Sequence, residues 1–385
     1  SHLSAFESKK MRLYAPFYCV PTDHEMLTKR GWKKHSELVV GEDVLAYDVE
    51  SGTTAWKPLL EVAEFDFDGE LMQWQTSRKG KKINFQFTED HRWPIEVVKK
   101  EYIKQADREE SGFVKTQRYR SVGYTRKVVR ANQIPNSACL IGAAPLAGDC
   151  ESILNDRLAT ILGWVVTDGY FRWRGKHCEM IVYQSPQKHL DEIMELLGTR
   201  PRKPHPISGV VCVPVALADV KEINKVFKEK KDLIHIVTHL SRSAAAAMID
   251  AMDKAESSYG NSNLHFAQDP SYNPDVLEAY QILRTLNGQV ANIGLRGCYV
   301  RNRTRYKWSK ESVSRVPYVG KIWCPRTSLG TWVMRHDGCV VITGNTFTRG
   351  MLPTVIEDLI RNPGGAQAIT IKAANRSRDP NQVVP

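Results

Sequence analysis

An interrupted β pattern constrains this chain more than any single residue does. Residues 19 to 95 read as short strands with turn punctuation, and VVGEDVLAYDVESGTTAWKPLLEVAEFDFDGELMQWQT is broken at Gly41, Ser51-Gly52 and Asp68-Gly69. From about residue 152 the texture becomes helical. ESILNDRLATILGWVVTDGYF, QKHLDEIMELLG, DVKEINKVFKEKKDLIHIVTHLS, RSAAAAMIDAMDKAES and NPDVLEAYQILRTLNG place apolar residues at i, i+3 and i+4, with extended stretches such as CEMIVYQS and GVVCVPVAL between them. VGKIWCPRTSLGTWVMRHDGCVVITGN then returns to short strands. The expectation is a discontinuous all-β domain interrupted by an α/β domain.

At 385 residues the chain is too long for one ordinary core. No apolar run reaches the length of a membrane span, and Ser1 to Tyr18 has charges but no apolar signal segment, so a soluble, cytoplasmic protein is expected. The eight cysteines, at 19, 139, 150, 178, 212, 298, 324 and 339, show no CxxC spacing, which points to separate reduced thiols rather than a zinc site. Lys plus Arg outnumber Asp plus Glu by 54 to 43, and the net charge of +11 permits attraction to a polyanion such as DNA. Lys99 to Arg130 concentrates charge and reads as a solvated excursion or an arm against phosphate.

Three short motifs carry chemistry. Cys19 opens CVPTDHEMLTKRGWKKHSELVVGEDVLAYD, Thr88-x-x-His91 stands in FTEDHRW, and Asn345-Thr346 ends the apolar run of GCVVITGNTF. Taken singly, these read as a packed thiol, a chance spacing and a turn. In this order they resemble the splicing blocks of an intein. The resemblance implies a Hint-type splicing domain formed by residues 19–140 and 319–345, with 1–18 and 346–385 as extein pieces of a host protein acted on in cis.

The chemistry of the residues agrees. Breaking a resonance-stabilised amide without a protease needs an internal nucleophile. Cys19 would attack the Tyr18 carbonyl and form a thioester; a thiol of ordinary pKa, about 8.5, is a few per cent thiolate at neutral pH. His91 would protonate the departing nitrogen, with Thr88 as a hydrogen-bond partner. Asn345 would close a succinimide on its own main-chain carbonyl, and Thr346 would take the acyl group as an ester before an O-to-N shift joins Tyr18 to Thr346. No cofactor is needed for these steps.

Two departures from the family pattern stand out. Most inteins have His before the terminal Asn, but Gly344 stands here, and His336 in MRHDG is the candidate to polarise the Asn345 carbonyl. Cys324 occupies a strand position where Asp is usual. In one intein subgroup a Trp two residues after the block His, a Cys at this strand position and a Thr two before the terminal Asn form a linked set; here they are Trp93, Cys324 and Thr343. The strand Cys carries the branched thioester in that subgroup, which implies transfer from Cys19 to Cys324 to Thr346, with direct transfer from Cys19 to Thr346 as the competitor and a core cysteine at 324 as the plain alternative.

The insert, residues 141–318, has a resemblance of its own. LATILGWVVTDGYF resembles the first motif of a LAGLIDADG homing endonuclease, whose paired helices end in acidic residues. Small Gly163 precedes Asp168 by five and small Ala251 precedes Glu256 by five, so AMDKAES aligns on GWVVTDG, with Ser257 where Gly is usual. The stretches after the two helices share a strand, a Gln, a polar turn and a helix ending near Gly, which implies an internal pseudo-two-fold repeat. Asp168 and Glu256 would hold Mg²⁺ over a scissile phosphate, and Lys231 resembles a basic residue that some members place near the metal. The partner implied is double-stranded DNA, bound by a monomer through sheets in the major groove, and RGCYVRNRTRYKW fits such a surface. Two other classes remain open: a DNA-binding regulator or repair nuclease without splicing, and an autoprocessing module that cleaves without ligating.

Overall fold

The structure, a computed structural model, describes residues 18–78, 81–102, 119–175, 177–260 and 263–344. Asn345, Thr346 and the two flanks beyond them and before Tyr18 lie outside the described residues.

Strands dominate, and three antiparallel sheets make up the β framework. The strand Val313–Arg326 runs along Glu61–Arg78 from Val313 opposite Trp74 to Arg326 opposite Glu61. Lys81–Phe87 and Val20–Pro21 complete this sheet at its two edges. Val20 is paired with Trp323 and Pro21 with Ile322, so the same register carries Cys19 opposite Cys324. A second sheet orders Cys339–Gly344, Thr331–His336, Glu25–Thr28, Asp43–Asp48 and Thr53–Pro58, and a third orders Arg305–Lys307, Ala138–Ile141, Arg92–Tyr102 and Tyr119–Arg130. Trp74, Phe85, Phe87, Trp93, Trp308, Trp323 and Trp332 fill the space these sheets enclose. At the tip of the last hairpin Asp337 and Gly338 have φ of 48° and 71°, the left-handed pair whose twist matches that of the flanking strands.

The insert is built twice on one plan. Helix Asp156–Thr167 begins where the Asn155 side chain accepts from Leu158 N at 2.9 Å, and helix Arg242–Glu256 where Ser241 accepts from Ala244 N at 3.2 Å. Each helix runs into a hairpin and then another helix: Gly169–Arg174, His177–Gln184 and Leu190–Leu197 in the first half, Ser257–Gly260, Asn263–Phe266 and Pro274–Leu286 in the second. The two long helices cross at their small residues. A Cβ on Gly163 would stand 3.0 Å from Ala251 Cβ and 3.0 Å from Met248 O, so the helices touch backbone to side chain there.

The two domains share a core: Leu27, Trp32, Val333, Val340 and Ile342 of the β framework pack in one cluster with Leu162, Leu233 and Leu277 of the insert. Polar contacts follow the same seam. Gln281 Nε2 donates to Gly338 O at 2.8 Å, and Arg335 donates to Gln281 Oε1 at 3.2 Å.

Two sequence expectations are redrawn. The β framework resumes before residue 319, because Arg305–Lys307 lies beside Ala138–Ile141 and one unbroken strand spans Val313–Arg326. The stretch RGCYVRNRTRYKW is correspondingly divided. Gly297–Arg301 belongs to the insert, while strand alternation turns Tyr306, and the chain after it Trp308, into the core of the β framework. No helix among the described residues is long and apolar enough to cross a membrane.

Candidate functional site

Around the Tyr18–Cys19 peptide the sheets converge. Cys19 is fully buried, and its backbone is held by Thr88: Cys19 N donates to Thr88 Oγ1 at 3.1 Å, and Thr88 N donates to Cys19 O at 3.1 Å. The turn Thr88 to His91 closes with His91 N donating to Thr88 O at 2.9 Å, which aims the imidazole back at the same peptide. Burial pushes the Cys19 thiol well above its usual pKa, and a hydrogen bond with the Cys324 thiol adds to the rise. The resting group is therefore a thiol beside a second thiol, in a pocket completed by Phe67, Leu71 and Ile322.

His91 is buried too. Burial lowers its pKa to about 3, against an upward pull from the Tyr18 backbone and a smaller one from Cys19. One ring nitrogen, Nε2, lies 2.5 Å from Thr343 Oγ1, and Nδ1 is buried without a hydrogen-bond partner among the described residues. The Thr343 hydroxyl serves either neutral tautomer: Nε2–H donating to it leaves the Nδ1 lone pair toward Tyr18 and Cys19, and Nε2 accepting from it puts the Nδ1 proton there. The indole of Trp93 stands edge-on to the imidazole, with ring centres 5.2 Å apart and planes at 66°, and fixes its plane.

Neutral imidazole modifies the expected role of His91. A group with pKa about 3 is not a standing acid at neutral pH. At neutral pH it is an unprotonated imidazole, and any proton it gives must first be taken from a neighbouring group.

Cys19, Thr88, His91, Trp93, Cys324 and Thr343 are thus brought together. His336 is not. It pairs with Cys339 at the turn end of the hairpin, whereas Gly344 pairs with Thr331 at the other end. Five residue steps separate these pairs, about 17 Å along a strand. His336 instead donates through Nδ1 to Asn84 O at 2.6 Å, approaches Asp23 Oδ2 with Nε2 at 3.1 Å, and stacks on His24 with ring centres 4.1 Å apart. Gly344 has its own reason: a Cβ there would meet Arg92 O at 2.9 Å, so a His side chain at this position is sterically disfavoured.

In the insert, Asp168 caps one long helix and Glu256 ends the other. Gln184 Nε2 donates to Asp168 Oδ2 at 3.1 Å, and Gln268 Nε2 donates to Glu256 Oε1 at 2.8 Å, matching contacts in the two halves. Burial raises the pKa of Glu256 to about 7, with the charge of Asp168 as the next cause; burial raises Asp168 as well. Two half-buried carboxyls that oppose each other's ionisation form an all-oxygen donor set, which fits a hard divalent cation such as Mg²⁺. Asp250 and Asp253 of MIDAMD are engaged elsewhere, with Lys254 and with Arg284 respectively.

Lys231 is not beside these carboxyls. It is exposed and paired with Glu229 at 2.5 Å. The cation whose charge acts on both Asp168 and Glu256 is Lys188, in the polar turn after the Gln184 strand. Lys230, adjacent to the expected position, bonds Asn273, whose amide donates to Gln268 Oε1 at 2.7 Å and so continues to Glu256. Sequence spacing points to the neighbouring lysine; nothing in the repeat marks Lys188, because Tyr272 stands four residues after Gln268 where Lys188 stands four after Gln184.

No family model matches the chain, and no curated protein does. Among solved structures, one described as "AceL NrdHF class 3 split intein GSH linked splice inactive variant" is similar at 6% identity, covering 86% of this chain and 100% of that one with a TM-score of 0.31. Another, described as "Structures and dynamics of mesophilic variants from the homing endonuclease I-DmoI", is similar at 14% identity over 42% of this chain and 87% of that one, with a TM-score of 0.26. Both likenesses are too slight to assign a role to any residue.

Proposed function

We propose that residues 19–345 form an intein that excises itself and joins Tyr18 to Thr346, and that its insert is a LAGLIDADG-type endonuclease acting on double-stranded DNA. The observation that carries the splicing reading is the convergence of Cys19, Thr88, His91, Cys324 and Thr343 on one buried peptide bond. His91 Nδ1 takes the Cys19 S–H proton as sulfur attacks the Tyr18 carbonyl, and the imidazolium gives it to the Cys19 nitrogen as the C–N bond breaks. The upward pull of the Tyr18 carbonyl on His91 strengthens as that oxygen gains negative charge, so the proton is held where it is next used.

The acyl group then passes to Cys324, whose thiol already touches Cys19, and from there to the Thr346 hydroxyl. Each exchange returns a proton to the departing group, and the charge balance is unchanged. Asn345 cyclises last and releases the chain.

In the insert, Asp168 and Glu256 would hold a divalent cation that polarises a phosphate and activates water. Lys188 balances their charge, and Gln184 and Gln268 orient them. The exposed outer end of strand Arg92–Tyr102 and its neighbour Tyr119–Arg130, rich in Lys and Arg, support a phosphate-contacting arm.

Expression of the chain followed by intact-mass measurement tests the splicing reading. A product of residues 1–18 joined to 346–385, together with the excised fragment, is expected. A chain unchanged in mass after prolonged incubation refutes it, and cleaved ends without the ligated product favour the autoprocessing alternative. Cys324→Ala is expected to remove the branched thioester at that position; if splicing proceeds at the parent rate, direct transfer from Cys19 to Thr346 is the route.

A further inference from the structure

Adjacent residues, the last of a turn and the first of a strand, address different parts of Tyr18. His91 faces its backbone, as described. Arg92 faces its side chain: the guanidinium carbon lies 4.9 Å from the centre of the phenol ring, over its face. Tyr18 is only 4% exposed, although it stands just outside the segment to be excised. The backbone carbonyl of the same Arg92 stands against Gly344, next to the other junction.

We propose that Arg92 is a positioning and specificity-determining residue that favours an aromatic side chain at residue 18, holding the Tyr18 carbonyl in line with Cys19 Sγ and His91 Nδ1. The proposal rests on the splicing reading. Its physical basis is the attraction of a cation to the negative face of an aromatic ring, which grows as water is excluded. Burial of Tyr18 supplies that exclusion. An aliphatic residue of similar size would fill the space without binding the guanidinium, and an acidic one would bring the cation to its end rather than over a ring, displacing the carbonyl.

The test is a double-mutant cycle read in the first chemical step. Chains carrying Asn345→Ala are incubated with dithiothreitol, and cleavage after residue 18 is timed for the parent Tyr18 chain and the Tyr18→Leu chain, each combined with Arg, Lys or Gln at position 92. With Tyr18, Arg92→Gln is expected to slow cleavage roughly threefold to tenfold, the size of a partly desolvated cation–π contact, and Arg92→Lys to recover part of the loss. Tyr18→Leu is expected to slow the parent by a similar factor and to make the rate indifferent to residue 92. Tyr18→Trp is expected to react at least as fast as the parent.

Equal slowing by Arg92→Gln in the parent and in the Tyr18→Leu chain overturns the proposal, because Arg92 would then act on something other than the ring. A second readout does not depend on reaction: in the Cys19→Ala chain the Arg92 δ-protons should be shifted upfield by the Tyr18 ring and return on Tyr18→Leu. Ring-shifted protons, together with a parent chain that forms no thioester, leave the contact in place and refute splicing, and with it the catalytic consequence of the contact. Absence of the shift overturns the proposal outright.

Discussion

Replacing Thr343 with Val deletes one hydroxyl from a fully buried position and keeps the shape of the side chain. That hydroxyl is 2.5 Å from His91 Nε2, and in the tautomer that the first step uses it accepts the Nε2 proton. Without it both ring nitrogens lack a partner, since Nδ1 has none among the described residues. A buried donor left unsatisfied costs about 1–3 kcal/mol, against which the ring can reverse its tautomer or turn toward other groups. Trp93 limits the turning, and the Tyr18 backbone already pulls the His91 pKa upward, so tautomer reversal that turns the proton toward Tyr18 is the expected relief. It places the proton on Nδ1 and removes the lone pair that would accept from Cys19. A preference of about 1–2 kcal/mol lost in this way slows the first step roughly fivefold to thirtyfold. Dithiothreitol-induced cleavage at Tyr18, followed by mass spectrometry, measures that step directly. Thr343→Ser should remain near the parent rate because it restores the hydroxyl. Cleavage of Thr343→Val within twofold of the parent, with melting temperature lowered, would show that the bond supports the fold alone and would refute the proton-placement argument.

Other expectations follow from the same geometry. Glu256 has its pKa raised to about 7 by burial and by Asp168, so its ionisation opposes folding, and stability should fall as pH rises through the interval from the ordinary carboxyl value to about 7; Glu256→Gln should flatten that slope and Mg²⁺ should raise the melting temperature at pH 8 in the parent but much less in the variant. For His336 burial opposes protonation, but its bonds to Asp23 and Asn84 outweigh it and raise the pKa above 6.5. Its contribution is full below the ordinary histidine value and lost as pH rises through the raised one, and Asp23→Asn should remove that loss in thermal melts. Gly344→His restores the usual intein residue, yet a Cβ at 2.9 Å from Arg92 O should lower stability and fail to accelerate cleavage at Asn345, as timed by release of the C-terminal piece.

Some of this geometry is legible in the sequence and some is not, for identifiable reasons. The meeting of Gly163 with Ala251, and hence of Asp168 with Glu256, follows from equal five-residue spacings on two helices, because helical periodicity converts spacing into position. Helix starts at Asn155 and Ser241 are marked by their capping side chains. Long-range partners are not so marked. His336 is only eight residues from Gly344, but the Asp337-Gly338 turn beside it makes it the tip of an antiparallel hairpin, at the opposite end from Gly344. Lys188 and Lys231 are both in polar turns, and only the folding of the first turn back over the helix ends separates them. The division of RGCYVRNRTRYKW between two sheets is hidden because an Arg- and Tyr-rich strand can face a groove or a core with the same alternation.

The shared seam between insert and β framework bears on how such a chain could be shortened. Gln281 of the insert caps the turn of the hairpin that leads to Gly344, and Leu277 belongs to the same apolar cluster as Val333, Val340 and Ile342. Excising the insert as a removable cassette would therefore strip one wall from the hairpin and leave its apolar face wet. A trimmed version would need polar replacements at Val333 and Val340 and a new partner for the Gly338 carbonyl. The insert thus serves as scaffolding for its host domain whether or not it ever cuts DNA.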